Sequence, residues 1–304
     1  MSSKSRFKGC LLGSALGDAV GELSFECRDE GELKAKLREK DRLRYTDDTA
    51  MAIGLAESLI EKKGEIDQEH IGETFKENYK EEPWRGYGQG PPKIFKMVEK
   101  GKRNYVECAE TLFGGEGSKG NGSAMRIAPV GVFFSISENV YEKAIKTAEV
   151  THAHPLGKDG AGVLALCIGR ASLSDKISPE DFALDMAERS ETEVFGKKLK
   201  KVAELLKSEV EREEAAQELG SSVLIEKSVP YAIFSFLKDP KSYEKALMNA
   251  VLVSGDSDTI GAMTGAVSGA YLGDKALPEA WVDKLENVSY LKKLSERLFE
   301  LRKE

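Results

Sequence analysis

Glycine recurs every four residues at Gly9, Gly13, Gly17 and Gly21, and again at Gly261, Gly265 and Gly269, where Ala262, Ala266 and Ala270 stand beside it. In a helix interior each glycine costs about 0.5–1 kcal/mol relative to alanine. A stripe repeated at one-turn spacing therefore has to be compensated. The compensation available is the close approach of another backbone, which a side chain would block. Both segments are expected to be central helices.

The rest of the chain also reads as helix. From Ala52 onward, Leu55, Ala56, Leu59 and Ile60 fall on one helix face. Comparable patterns run over 141–151, 160–171, 182–189, 197–217, 229–237, 243–253 and 290–301. Valine and isoleucine are dispersed, and no series of alternating strands emerges. Two segments, "FGGEGSKGNGSA" (113–124) and "THAHPLG" (151–157), interrupt the helices without the composition of a linker. The segment "EEPWRGYGQGPPK" (81–93) reads as a long surface loop. The expected architecture is all-α: a compact single-domain orthogonal helical bundle spanning residues 1–304.

Composition excludes several classes of protein. No apolar run approaches the ~18 residues of a membrane span, and "MSSKSRFKG" carries no export signal, so a cytoplasmic protein without a membrane partner is expected. A formal net charge of -7 argues against a broad nucleic-acid-binding face. Cys10, Cys27, Cys108 and Cys167 lack CxxC spacing and fit free or buried thiols. A monomer is expected.

Chemistry concentrates at two acidic helix starts. Asp256, Asp258 and Thr259 open the second glycine helix, and Thr46, Asp47, Asp48 and Thr49 open the helix that contains Leu55. Asp and Thr are natural helix caps, so either cluster alone reads as capping. A cap needs one acid. The near duplication, with a glycine stripe behind one copy, favours a shared site of hard oxygen ligands suited to Mg²⁺ or Mn²⁺. Between them, "GEGSKGNGSA" offers glycine backbone N–H groups and the Ser118 hydroxyl to phosphate oxygens.

The ordered blocks "LLGSALGDAVGE", "YTDDTAMA", "GNGSAMRIAPVG", "THAHPLGKDGA" and "SGDSDTIGAMTGAVSGAYLG" resemble the ADP-ribosylglycohydrolase family, also called ADP-ribosyl-acceptor hydrolases, which includes the dinitrogenase-reductase-activating glycohydrolases. Within it the loop is most similar to the serine-ADP-ribose hydrolase branch. The resemblance implies hydrolysis of the bond between ADP-ribose and an acceptor, including ADP-ribosylated protein. It also implies two divalent cations, Mg²⁺ or Mn²⁺, held at helix N-termini by Thr46, Asp47, Asp48, Asp256, Asp258 and Thr259. It places Phe113 on adenine, with Gly117, Ser118, Lys119, Gly120, Asn121 and Gly122 around the diphosphate and His152 beside the substrate. Lys119 occupies the position of an aromatic residue in that branch. Catalysis falls to Glu26 with Asp47 and Asp48. Glu22 is the other glutamate in "GDAVGELSFE", and it reads as a solvated helix-end charge. Two alternatives are a two-metal nucleotide phosphohydrolase and a catalytically silent ADP-ribose-binding protein of the crystallin kind.

Overall fold

The computed structural model describes residues 3–101 and 103–303. Among them are eighteen α-helices, two short 3₁₀ turns and no strand beyond two isolated bridges. The all-α expectation holds.

The glycine stripes meet each other. The helices Lys4–Ser24 and Ser257–Leu272 pack antiparallel: Gly9 faces Gly269, Gly13 faces Gly265, Gly17 faces Gly261, and Gly21 faces Ser257. The backbones touch. A Cβ built at Gly17 would lie 2.0 Å from the Gly261 carbonyl oxygen, and one at Gly265 would lie 2.1 Å from that of Gly13. The Tyr243 hydroxyl donates to the Gly13 carbonyl at 2.7 Å.

This pairing creates the site. Because the helices run in opposite directions, the C-terminal half of the first, with Asp18, lies beside the start of the second, with Asp256 and Asp258. The helix Asp47–Glu61 joins at the same place. Its first N–H groups are drawn to Asp18, whose carboxylate accepts from Thr46 N at 3.0 and 3.1 Å, Thr49 N at 3.0 Å and Thr49 Oγ1 at 2.6 Å. An anion at a helix N-terminus is favourable, and here it docks one helix onto another. Arg85 fixes the approach to this helix: its carbonyl accepts from Asp47 N at 2.8 Å, and its guanidinium bonds Tyr45 O at 2.9 Å and Glu286 at 2.8 Å.

Two expectations about helices need correction. Residues 197–217 do not form one helix but two, Glu193–Lys207 and Arg212–Leu219. Glu209 turns left-handed at φ 53°, and Val210 N bonds back to Leu205 O. This is a helix-terminating turn made without glycine, so composition gave no stop signal. The presumed loop 81–93 contains the start of a helix, Gly90–Glu99. Pro91 and Pro92 fit its first turn, where their missing N–H groups would have no intrahelical partner. Ile94 and Phe95 then enter the core.

Candidate active site

The acidic helix starts line a cleft of about 500 Å³, within the range of small-molecule sites. Asp47, Asp48, Asp256, Asp258 and Thr259 form one part of its wall. Phe113, Ser118, Gly120, Asn121, Gly122 and His152 form another. Residues from four separate stretches of sequence thus converge.

Four sequence-predicted residues stand elsewhere. Thr46 does not border this cleft. Its hydroxyl caps its own helix at Asp48 N, 3.4 Å away, and donates to Asp48 Oδ2 at 3.2 Å, so it stays beside the acids while the residue borders an adjoining cleft together with Glu22. Gly117, at φ +77°, is pressed against the next loop: a Cβ there would lie 2.4 Å from His154 N. Its glycine is required by packing. Lys119 pairs with Glu116 at 3.2 Å and does not line the cleft. Glu26 lies on the outside, its carboxylate 2.6 Å from Lys36 Nζ, which also donates to the Glu26 carbonyl.

Asp18, Arg126 and Thr151 were missed by sequence reasoning. Asp18 is fully buried behind the acids. Its position within the glycine stripe was the available signal, since a carboxylate one residue from Gly17 must follow that glycine into the interface. Arg126, also fully buried, borders the cleft and stacks 4.8 Å from the Phe75 ring centroid.

The acids are not mere caps. Asp256 holds the cap position of its helix but makes no side-chain capping bond; its Oδ2 instead accepts from Asn121 Nδ2 at 2.6 Å. Asn121 thereby ties the glycine loop to the acidic wall. Burial, reinforced by Asp18 and Asp258, pushes Asp47 up to about 7. Burial, then Asp256 and Asp18, pushes Asp258 up to about 7, and burial pushes Asp18 up to about 6 despite its hydrogen bonds. Asp48 rises well above the carboxylate range for the same reasons as Asp47. Like charges in a poorly solvated site favour protonation or a cation.

The donor set fits a hard divalent cation. Asp48 Oδ1 is buried without a hydrogen-bond partner, although a buried carboxylate oxygen ordinarily has one. The buried Arg126 directs its Nη1 and Nη2 donors to Gly122 O, Thr147 O and Thr151 Oγ1, and no hydrogen bond joins it to the acids. Among the described residues no three acidic, imidazole or thiol groups already stand in the spacing of a closed ligand set.

A pH dependence follows. A carboxyl group whose folded pKa exceeds its unfolded value keeps its proton longer when folded, so stability falls as pH rises between the two values. Metal-stripped protein is expected to lose thermal stability from the ordinary carboxylate value of 3.8 up to about 7. A hard divalent cation should restore it at the upper end of that window and do little at the lower end, where protons occupy the carboxylates. Melting curves with and without EDTA across the window test this; a melting temperature independent of both pH and metal would contradict it.

The glycine loop shapes the opposite wall. Phe113 adopts φ 53°, is 63% exposed and stands at the cleft rim, backed by Gly114 and Gly115 at φ +74° and +93°. A non-glycine residue in this region is strained by roughly 1–3 kcal/mol, and such strain clusters at ligand clamps. Ser118 Oγ accepts from Gly120 N at 3.1 Å, which folds the turn and leaves the hydroxyl proton free to donate. His152 is nearly buried, and burial with the nearby Arg126 charge lowers it to about 3, so it is neutral at physiological pH.

The all-α fold thus sets clustered carboxylates opposite a glycine-rich loop across one cleft. The profile of the ADP-ribosylglycohydrolase family matches residues 1–304. The chain is 36% identical to ADP-ribosylhydrolase ARH3 of Homo sapiens over 93% of its length and 90% of that protein. It is likewise 36% identical to ADP-ribosylhydrolase ARH3 of Bos taurus, over 93% of this chain and 89% of that one. A solved structure titled "ADP-ribosylglycohydrolase-related protein complex" superposes with a TM-score of 0.76 at 23% identity, covering 98% of each chain, and shares the fold. The chain belongs to the ADP-ribosylglycohydrolase family, and it is a hydrolase of linkages to ADP-ribose. Divalent-metal dependence is a property of that family. No helix among the described residues is long and apolar enough to cross a membrane.

Proposed function

We propose that the enzyme cleaves the glycosidic bond between ADP-ribose and an acceptor group, including the side chain of an ADP-ribosylated protein, with two divalent cations, Mg²⁺ or Mn²⁺. The observation that carries this reading is the convergence of Asp18, Asp47, Asp48, Asp256 and Asp258 opposite a loop suited to phosphates. Asp47, Asp48, Asp256 and Asp258 with Thr259 and Thr46 would hold the metals, which when bound supply Lewis-acid polarisation and a more acidic water. The diphosphate would lie against Ser118, Gly120 and Gly122, and adenine against Phe113. His152 would bond a ribose oxygen, and the acidic wall would stabilise positive charge developing at the anomeric carbon. One continuous core supports reading residues 1–304 as a single domain. Incubation with ADP-ribosylated serine, arginine and O-acetyl substrates tests the reaction. Intact ADP-ribose is the expected product; release of AMP or phosphate would instead favour phosphoryl transfer.

Glu26 is proposed to handle the proton. To reach the acids it must leave Lys36, and an exposed ion pair is a weak latch because water solvates both partners. Glu26→Gln keeps shape but removes basicity, and kcat is expected to fall by about 10²–10⁴ with a much smaller loss of ADP-ribose affinity. Glu22→Gln should stay near wild type. The reverse pattern would transfer the role to Glu22, which borders the adjoining cleft and adds to the raised pKa of Asp258.

A further inference from the structure

His152 borders the cleft, but a role in binding depends on which ring nitrogen carries its proton. The surrounding hydrogen bonds decide this. Arg126 is immobilised by Gly122 O at 2.9 Å, Thr147 O at 3.2 Å and the Phe75 ring, and its Nη2 donates to Thr151 Oγ1 at 2.7 Å. Thr151 Oγ1 in turn stands 2.7 Å from His152 Nδ1. A guanidinium has donors only, so one lone pair of the Thr151 hydroxyl is filled and its own proton still needs an acceptor. Nδ1 is the acceptor within reach among the described residues. If Nδ1 carried the proton, two N–H groups would face one hydroxyl, and the O–H of Thr151, itself 1% exposed, would point at nothing. The remaining nitrogen looks toward the glycine loop: a Cβ at Gly122 would lie 3.3 Å from Nε2, and one at Gly120 would lie 3.6 Å away.

We propose that Thr151, anchored by Arg126, is a positioning residue that fixes His152 as the Nε2–H tautomer and so presents the cleft with a hydrogen-bond donor aimed at a ligand oxygen. The ligand identity rests on the ADP-ribose reading above; the tautomer does not.

The chain has three histidines, His70, His152 and His154, so histidine-labelled protein gives a ¹⁵N spectrum of three rings that His70→Gln and His154→Gln assign. Ligand-free wild type is expected to show His152 with Nδ1 unprotonated and Nε2 protonated. Thr151→Val keeps the branched shape and removes the hydroxyl; it should shift His152 toward the Nδ1–H form and weaken ADP-ribose binding roughly tenfold, the scale of one lost hydrogen bond. Thr151→Ser should restore both. A wild-type Nδ1–H ring, or a tautomer unmoved in Thr151→Val, overturns the assignment. A shifted tautomer with unchanged ADP-ribose affinity overturns the donor role. If Thr151→Val does not fold, the wild-type and Thr151→Ser spectra still decide. If wild type shows the Nε2–H ring yet binds no ADP-ribose, the tautomer stands and the functional reading falls.

Discussion

Asp258→Ala is expected to lower hydrolysis of ADP-ribosylated substrate by about 10³-fold or more and, at the same time, to raise the melting temperature of the metal-free protein. The first effect follows from losing a carboxylate of the acidic wall. Transition-state stabilisation of several kcal/mol disappears, at 1.36 kcal/mol per factor of ten. The second follows from the electrostatics of the ligand-free site, where burial, Asp256 and Asp18 oppose ionisation of Asp258. Removing one of several mutually repelling carboxylates relaxes the rest. Stabilisation with loss of activity is the usual mark of a residue kept for function.

The capping alternative predicts the opposite sign. Were Asp258 a structural cap, its loss would cost about 1 kcal/mol of stability and leave turnover nearly unchanged. Asp258 Oδ1 does accept a bond, but from Thr259 N of its immediate neighbour at 2.9 Å. Measuring kcat, melting temperature in EDTA and the metal-induced shift in melting for wild type, Asp258→Ala and Asp256→Ala separates the cases. Wild-type turnover in both variants, or in EDTA-treated protein, would end the metal-enzyme reading.

The residues that declare themselves in the sequence do so because their cost has no local explanation. A glycine stripe is unfavourable in an isolated helix, and two aspartates exceed what one cap needs, so both pointed beyond their own segments. Their meeting was not legible: nothing in either stripe says that Gly17 faces Gly261, which required the antiparallel register. Asp18 was hidden for the same reason, since its partners Thr46 and Thr49 belong to a helix some thirty residues away whose position depends on that packing. Arg126 and Thr151 are adjacent only because the short helix Gly122–Met125 lies against the turn before Pro155. The break at Glu209 left no trace because a charged surface residue made the left-handed turn usually made by glycine. The outward position of Glu26 reflects an ion pair with Lys36, a contact between residues ten apart that helical periodicity does not encode.

Gly17→Ala sets two magnitudes against each other. By helix propensity alone, alanine in a helix interior should stabilise the protein by about 0.5–1 kcal/mol, adding no polar group and reducing the freedom of the unfolded chain. By packing, the new methyl would lie 2.0 Å from the Gly261 carbonyl oxygen and 2.5 Å from its carbon, and both are backbone atoms that no rotamer change can move. Overpacking against yielding side chains already costs about 1–3 kcal/mol, and here the two central helices must separate along their length. Packing therefore wins, with an expected loss of at least about 3 kcal/mol from a total that is typically 5–15 kcal/mol. Gly17→Val should not fold. The damage should also reach function, because Asp18 and the start of the helix Ser257–Leu272 are held together by this contact, so residual folded Gly17→Ala should bind divalent metal more weakly than wild type. Gly88→Ala is the control, since nothing lies within 4 Å of its Cβ position, and its stability should stay within about 0.5 kcal/mol of wild type. Urea denaturation of the three variants measures the difference directly. A Gly17→Ala protein as stable as wild type would mean that the two glycine helices are not in backbone contact.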